Sequence, residues 1–123
     1  MAQIESEAVK LFQKSAAQGH AAAQYELGLC YLRGKGGVIQ NEEEAVKQFR
    51  KSAAQGNASA RYMLGMFYLN GFGETQNGTD ALEQLKKSAE QDYAPAQYEL
   101  GLCYLRGKGV TQDESKAVEL FRK

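Results

Sequence analysis

The sequence predicts an all-α protein, an α-solenoid of stacked antiparallel helix pairs with about seven helices. Two observations predict it. First, AQYELGLCYLRGKG stands at residues 23–36 and again, unchanged, at 96–109, with a diverged copy, ARYMLGMFYLNGFG, at 60–73. Gly28, Gly65 and Gly101 therefore recur at steps of 37 and 36 residues, and Ala8, Ala45, Ala81 and Ala117 keep the same period. Second, apolar residues within each period fall three and four apart, the spacing of one helix face.

The elements follow in order. The chain opens in a helix of the second type, expected from Ile4 to Gln18, with Ala8, Leu11, Phe12 and Ala16 as its apolar pattern and Gly19 closing it. Residues 21–57 form the first whole repeat. Its helix A carries Ala23, Leu27, Cys30, Tyr31 and Gly34 on one face. The run Gly34-Lys35-Gly36-Gly37 ends that helix, because glycine accepts the positive φ of a helix exit. Asn41 then offers an N-cap, and Glu42, Glu43 and Glu44 occupy a first turn where carboxylates suit the helix dipole. Helix B presents Ala45, Phe49 and Ala53 on one face, bears Arg50 and Lys51 near its end, and closes at Gly56. Residues 58–93 repeat the plan with Asn77 as the cap. Residues 94–123 begin it again with Asp113, and their last helix is expected over Ser115–Lys123. The chain thus reads as one repeat domain over 1–123, with a partial repeat over 4–20.

Neither helix of a pair can bury its apolar stripe alone, so neighbouring repeats must cover it. Leu64 is accordingly expected in the core. Glycine inside a helix costs about 1 kcal/mol against alanine. Its recurrence at Gly28, Gly65 and Gly101 predicts a close helix-helix approach at each.

The pattern A-x-x-x-L-G-x-x-Y-x-x-G-x-G, then Asp or Asn, then A-x-x-x-F-x-K and an A-x-x-G turn, resembles the Sel-one-like repeat family. That family is a branch of the tetratricopeptide-like α-solenoids. The likeness covers residues 4 to 123. It departs where an aromatic is usual before Phe49, since Gln48, Gln84, Leu11 and Leu120 stand there. The resemblance implies a right-handed superhelix whose A helices line the inner wall. It also implies a non-catalytic scaffold or adaptor that binds a protein or peptide segment.

Composition narrows the alternatives. Fifteen basic residues balance fifteen acidic ones, so no net field favours nucleic acid or an anionic membrane. No apolar run has the length of a membrane helix, and MAQIESEAVKLFQ lacks the apolar core of a signal peptide. The glycine-lysine stretches lack the spacing of a phosphate loop, and Lys35 is followed by glycine where a hydroxyl residue is required. His20, the one histidine, has no Cys or His at ligand spacing, and no catalytic residue, metal or cofactor is expected. Cys30 and Cys103 occupy equivalent positions on helix A and are expected as free, small core residues. Such thiols fit a reducing, cytoplasmic setting, though they fix no compartment. The acceptor triplets at Asn57 and Asn77 fall at turns where Asn is expected anyway.

A count of 100° per residue from Ala23 places Tyr25, Leu29, Leu32 and Arg33 on the far face of helix A. Their equivalents are Tyr62, Met66, Leu69 and Asn70, then Tyr98, Leu102, Leu105 and Arg106. The candidate peptide-binding residues are Tyr25, Leu29, Arg33, Tyr62, Met66, Asn70, Tyr98, Leu102 and Arg106. Tyr and Arg are the residues enriched at binding hot spots. Leu32, Leu69 and Leu105 are divided evenly between that face and packing between repeats. Two alternatives stand beside the scaffold. A hydrolase would need a nucleophile or perturbed acids, and none is visible. A self-associating module would use the ends, where Ala8, Leu11 and Phe12, and Val118, Leu120 and Phe121, keep the ordinary apolar pattern instead of a polar cap.

Overall fold

The computed structural model describes residues 2–70, 78–108 and 110–122. Among them run seven helices: α1 (Ala2–Ala17), α2 (Ala21–Arg33), α3 (Glu42–Ala54), α4 (Ala58–Leu69), α5 (Gly78–Glu90), α6 (Ala94–Arg106) and α7 (Glu114–Phe121). No described residue lies in a strand, and the fold is the all-α repeat architecture expected. The first helix starts two residues earlier than the apolar pattern suggested. The expectations placed on Asn77 and Lys123 lie outside the described residues.

Helix ends obey the local chemistry. Gly34 and Gly107 cap α2 and α6 in the left-handed region, at φ 68° and 69°. The chain then turns back over the carbonyls left open by each helix. The Asn41 N–H donates to Tyr31 O at 2.8 Å, and the Gln40 amide to Leu32 O at 2.9 Å. In the last repeat Asp113 and Gln112 make the same bonds to Tyr104 O and Leu105 O, each at 2.8 Å. Asn41 Oδ1 accepts from the Glu44 N–H at 3.1 Å, and Asp113 Oδ1 from the Lys116 N–H at 3.0 Å.

The chain divides into two compact units, Met1–Ala60 and Arg61–Lys123. In the first, α2 packs on both α1 and α3. Val9, Ala16, Ala23 and Leu27 form its core, with Phe12, Cys30, Tyr31 and Val38 partly buried against them. Ala45, Phe49 and Ala53 are buried on the expected face of α3. A β-carbon on Gly28 would meet the Phe49 ring at 2.6 Å, so the glycine is what lets the ring seat. In the second unit α6 packs on α5 and α7, around Leu82, Leu85, Leu100, Cys103, Tyr104 and Ala117. There Gly65 faces Leu85, whose Cγ would lie 2.8 Å from an added β-carbon, and Gly101 faces the Phe121 ring. The close approaches expected at all three glycines are present.

Polar stitches tie the ends of consecutive helices. Buried Gln24 donates to Ala16 O at 3.2 Å and accepts from Gln55 Nε2 at 2.7 Å. The Ser52 hydroxyl donates to Ala21 O at 2.6 Å. Gln97 repeats the first bond with Ala89 O at 3.2 Å, while Arg61, at the equivalent place in the middle repeat, donates to Gln91 Oε1 at 2.9 Å.

Candidate functional site

The candidate residues sit on helices whose ends and packing faces are fixed, so their directions are fixed too. In the first unit they divide around α2. Tyr25 is half-buried and leans toward α3, its ring centroid 5.9 Å from that of Phe49 at 44°. Leu29 and the exposed Arg33 turn the other way and line a cleft with Ala8, Val9 and Phe12 of α1. One stripe in the sequence is thus two surfaces in space, because positions 25 and 33 stand about 80° apart around a helix.

In the second unit Tyr62 is half-buried with its ring 5.6 Å from that of Tyr93. Met66 is half-buried against the core, and Asn70 is exposed just beyond α4. Leu69 belongs to the core of this unit. On α6, Tyr98 repeats the geometry of Tyr25, with its ring 5.9 Å from Phe121 at 44°, yet it is 56% exposed. Tyr98, Leu102, Leu105, Leu120 and Phe121 line an open apolar cleft of about 610 Å³ between α6 and α7. Arg106 is exposed at the end of α6, outside that lining.

The faces of α5 and α7 are equivalent in the repeat but not in their surroundings. Leu82 and Leu85 on α5 are 4% and 0% exposed, packed in one core with α6. Val118 and Phe121, at the same positions on α7, are 45% and 41% exposed. The apolar surface expected at that end is present.

Among the described residues no three His, Cys, Asp or Glu side chains gather as a metal site. Glu44 and Lys47 pair at 3.6 Å on the surface of α3, where solvent and salt screen them. Neither cysteine is in a disulfide; Cys103 is buried and Cys30 half-buried. Burial pushes the Cys103 thiol above its ordinary pKa, and the Glu99 carboxylate adds to the rise. The polar core was not visible in the pattern. Gln24, Gln97, Ser52 and Ser88 are buried, and the one signal for them was their return at repeat spacing. No described helix is long and apolar enough to cross a membrane.

Comparison with known proteins agrees with this geometry. The model of the Sel1 repeat matches residues 5–20, 21–57, 58–93 and 94–123. A Sel1 repeat protein from Oxalobacter formigenes superposes with a TM-score of 0.84 at 37% identity, over 94% of this chain and 47% of its own. A protective antigen, c5321, present in uropathogenic Escherichia coli strains and displaying an SLR fold, superposes with a TM-score of 0.87 at 36% identity. That match covers 93% of this chain and 24% of the antigen. The chain therefore spans about half the length of the first structure and about a quarter of the second. None of the curated proteins matches it.

Proposed function

Because this chain belongs to the Sel1 repeat family, we propose that it is a non-catalytic scaffold that binds a peptide or protein segment through the displayed faces of its A helices. Repeats of this family generally serve as protein-interaction scaffolds. One observation carries the reading to these residues: Arg33, Asn70 and Arg106 stand exposed at the C-terminal ends of successive A helices, each with an apolar residue one turn earlier and a tyrosine two turns earlier. Exposed Arg beside half-covered Tyr, Leu and Met is the composition of a binding surface. The test is capture from a native lysate with the immobilised chain and with an Arg33→Glu, Tyr98→Ala, Arg106→Glu variant. Partners lost by a variant with unchanged circular dichroism support the reading. Partners retained in full would remove these faces from it.

A second reading has its own support in the exposure of Val118 and Phe121. A second copy covering this face would bury apolar surface at about 25 cal/mol per Å², and zero net charge offers little repulsion. Light scattering should then show mass rising with concentration over a hundredfold range, and Phe121→Ser should lower it. A strict monomer throughout would rule out self-association by this face.

A further inference from the structure

Between α1 and α2, the side chains of Ala8, Val9, Phe12 and Leu29 wall an apolar cleft of about 260 Å³, with Arg33 and Lys35 on its rim. Phe12 and Leu29 are half-buried, whereas both cations are exposed. Among the described residues neither cation has a carboxylate within ion-pair reach. The one carboxylate among the described lining residues, Glu26, lies seven residues before Arg33, about 10 Å along the helix axis. Charge in the cleft is therefore polarised, with both cations at the end where α2 stops.

The loop bearing Lys35 is already tied down. The Gly34 and Lys35 N–H groups both donate to Cys30 O, at 2.8 and 3.1 Å, and the Ser6 hydroxyl of α1 donates to Gly36 O at 3.3 Å. Ordering that loop costs an incoming partner little. The dipole at the end of α2 accounts for Arg33 in its last turn. It accounts neither for a second cation on a tethered loop nor for the apolar cleft beside the pair.

We propose that this cleft takes an acidic, apolar linear segment of a partner protein, resting on the scaffold reading above. A Leu- or Phe-like side chain enters between Phe12 and Leu29, and a neighbouring carboxylate meets Arg33 and Lys35. Arginine offers a carboxylate two parallel N–H donors. A basic segment would set like charges against the same two groups and be rejected.

The experiment titrates the ¹⁵N-labelled full chain with two acetylated, amidated hexapeptides, Gly-Ser-Leu-Glu-Ser-Gly and the same peptide with Lys in place of Glu. The expected result is amide shifts at Phe12, Leu29 and Arg33 with the acidic peptide. Its affinity should exceed that of the basic peptide by roughly tenfold and fall with added salt. Arg33→Gln with Lys35→Gln should erase the preference while leaving the circular dichroism spectrum unchanged. Equal response to both peptides, no response, or shifts confined to α6 and α7 would each overturn the proposal. Lysate partners still captured by a chain that ignores the acidic peptide would overturn it and leave the scaffold reading standing. Peptide binding in a chain that captures nothing would do the reverse.

Discussion

Gly28 and Phe49 form a single packing unit: the ring occupies the space a β-carbon on residue 28 would need, 2.6 Å from Cε1. Phe49 is fully buried, so the ring cannot swing away. Gly28→Ala should therefore destabilise by about 1–3 kcal/mol through overpacking, although alanine raises helix propensity by about 1 kcal/mol. Gly65→Leu should do the same, since an added β-carbon there meets Ala81 O at 3.1 Å as well as Leu85. Thermal unfolding decides. A higher midpoint in either variant would show that the glycine is only tolerated.

Leu64 is 2% exposed, as its place on helix A requires. Leu64→Ala should cost about 2–5 kcal/mol, with the cavity left behind adding to the lost transfer energy. Urea titration measures it, and an unchanged midpoint would contradict the packing face assigned to α4.

The N-cap at Asn41 is interchangeable with that at Asp113, because each side-chain oxygen accepts the N–H three residues on. Asn41→Asp should be close to neutral. Asn41→Ala should cost about 1 kcal/mol, read from the same unfolding curves. Equal losses for the two variants would mean that the cap bond contributes nothing.

The two thiols should separate in rate. Half-buried Cys30 should react with Ellman's reagent well before buried Cys103 in the folded chain. Cys103 should need pH above the ordinary thiol range to form its thiolate. Its raised folded-state pKa also fixes a sign. The stability it supports is intact below the unfolded thiol pKa and is lost as pH rises through the folded value, because the unfolded chain releases its proton first. Simultaneous labelling of both residues at pH 7 would contradict the burial.

The backbone plan was legible because it rests on recurrence: a glycine that must be glycine, a cap that must accept, an apolar residue every third or fourth place. Gly28, Asn41 and Phe49 could each be assigned from their neighbours alone. The surface was harder to read. Tyr25, Leu29 and Arg33 share a stripe on paper, yet the ring of Tyr25 turns to Phe49 while Leu29 and Arg33 face α1. Positions 25 and 33 stand about 80° apart around the helix, but which of them faces α1 and which α3 is set by how those helices pack on α2, and a single periodicity does not carry that. The apolar spacing says nothing of Gln24. It is buried, with its side-chain amide donating to the carbonyl of Ala16 at the end of α1, an oxygen that also accepts from the Gly19 N–H.

In each unit the packed helices are neighbours in the chain: α1 with α2, α2 with α3, α5 with α6 and α6 with α7. Short loops close most of these contacts, so little chain entropy is lost before each one forms, and folding should be fast for a protein of this length. The same locality lets structure be lost piecemeal. Amide hydrogens of α7, with Val118 and Phe121 at the surface, should exchange through brief local openings while those around Leu85 wait for a deeper one.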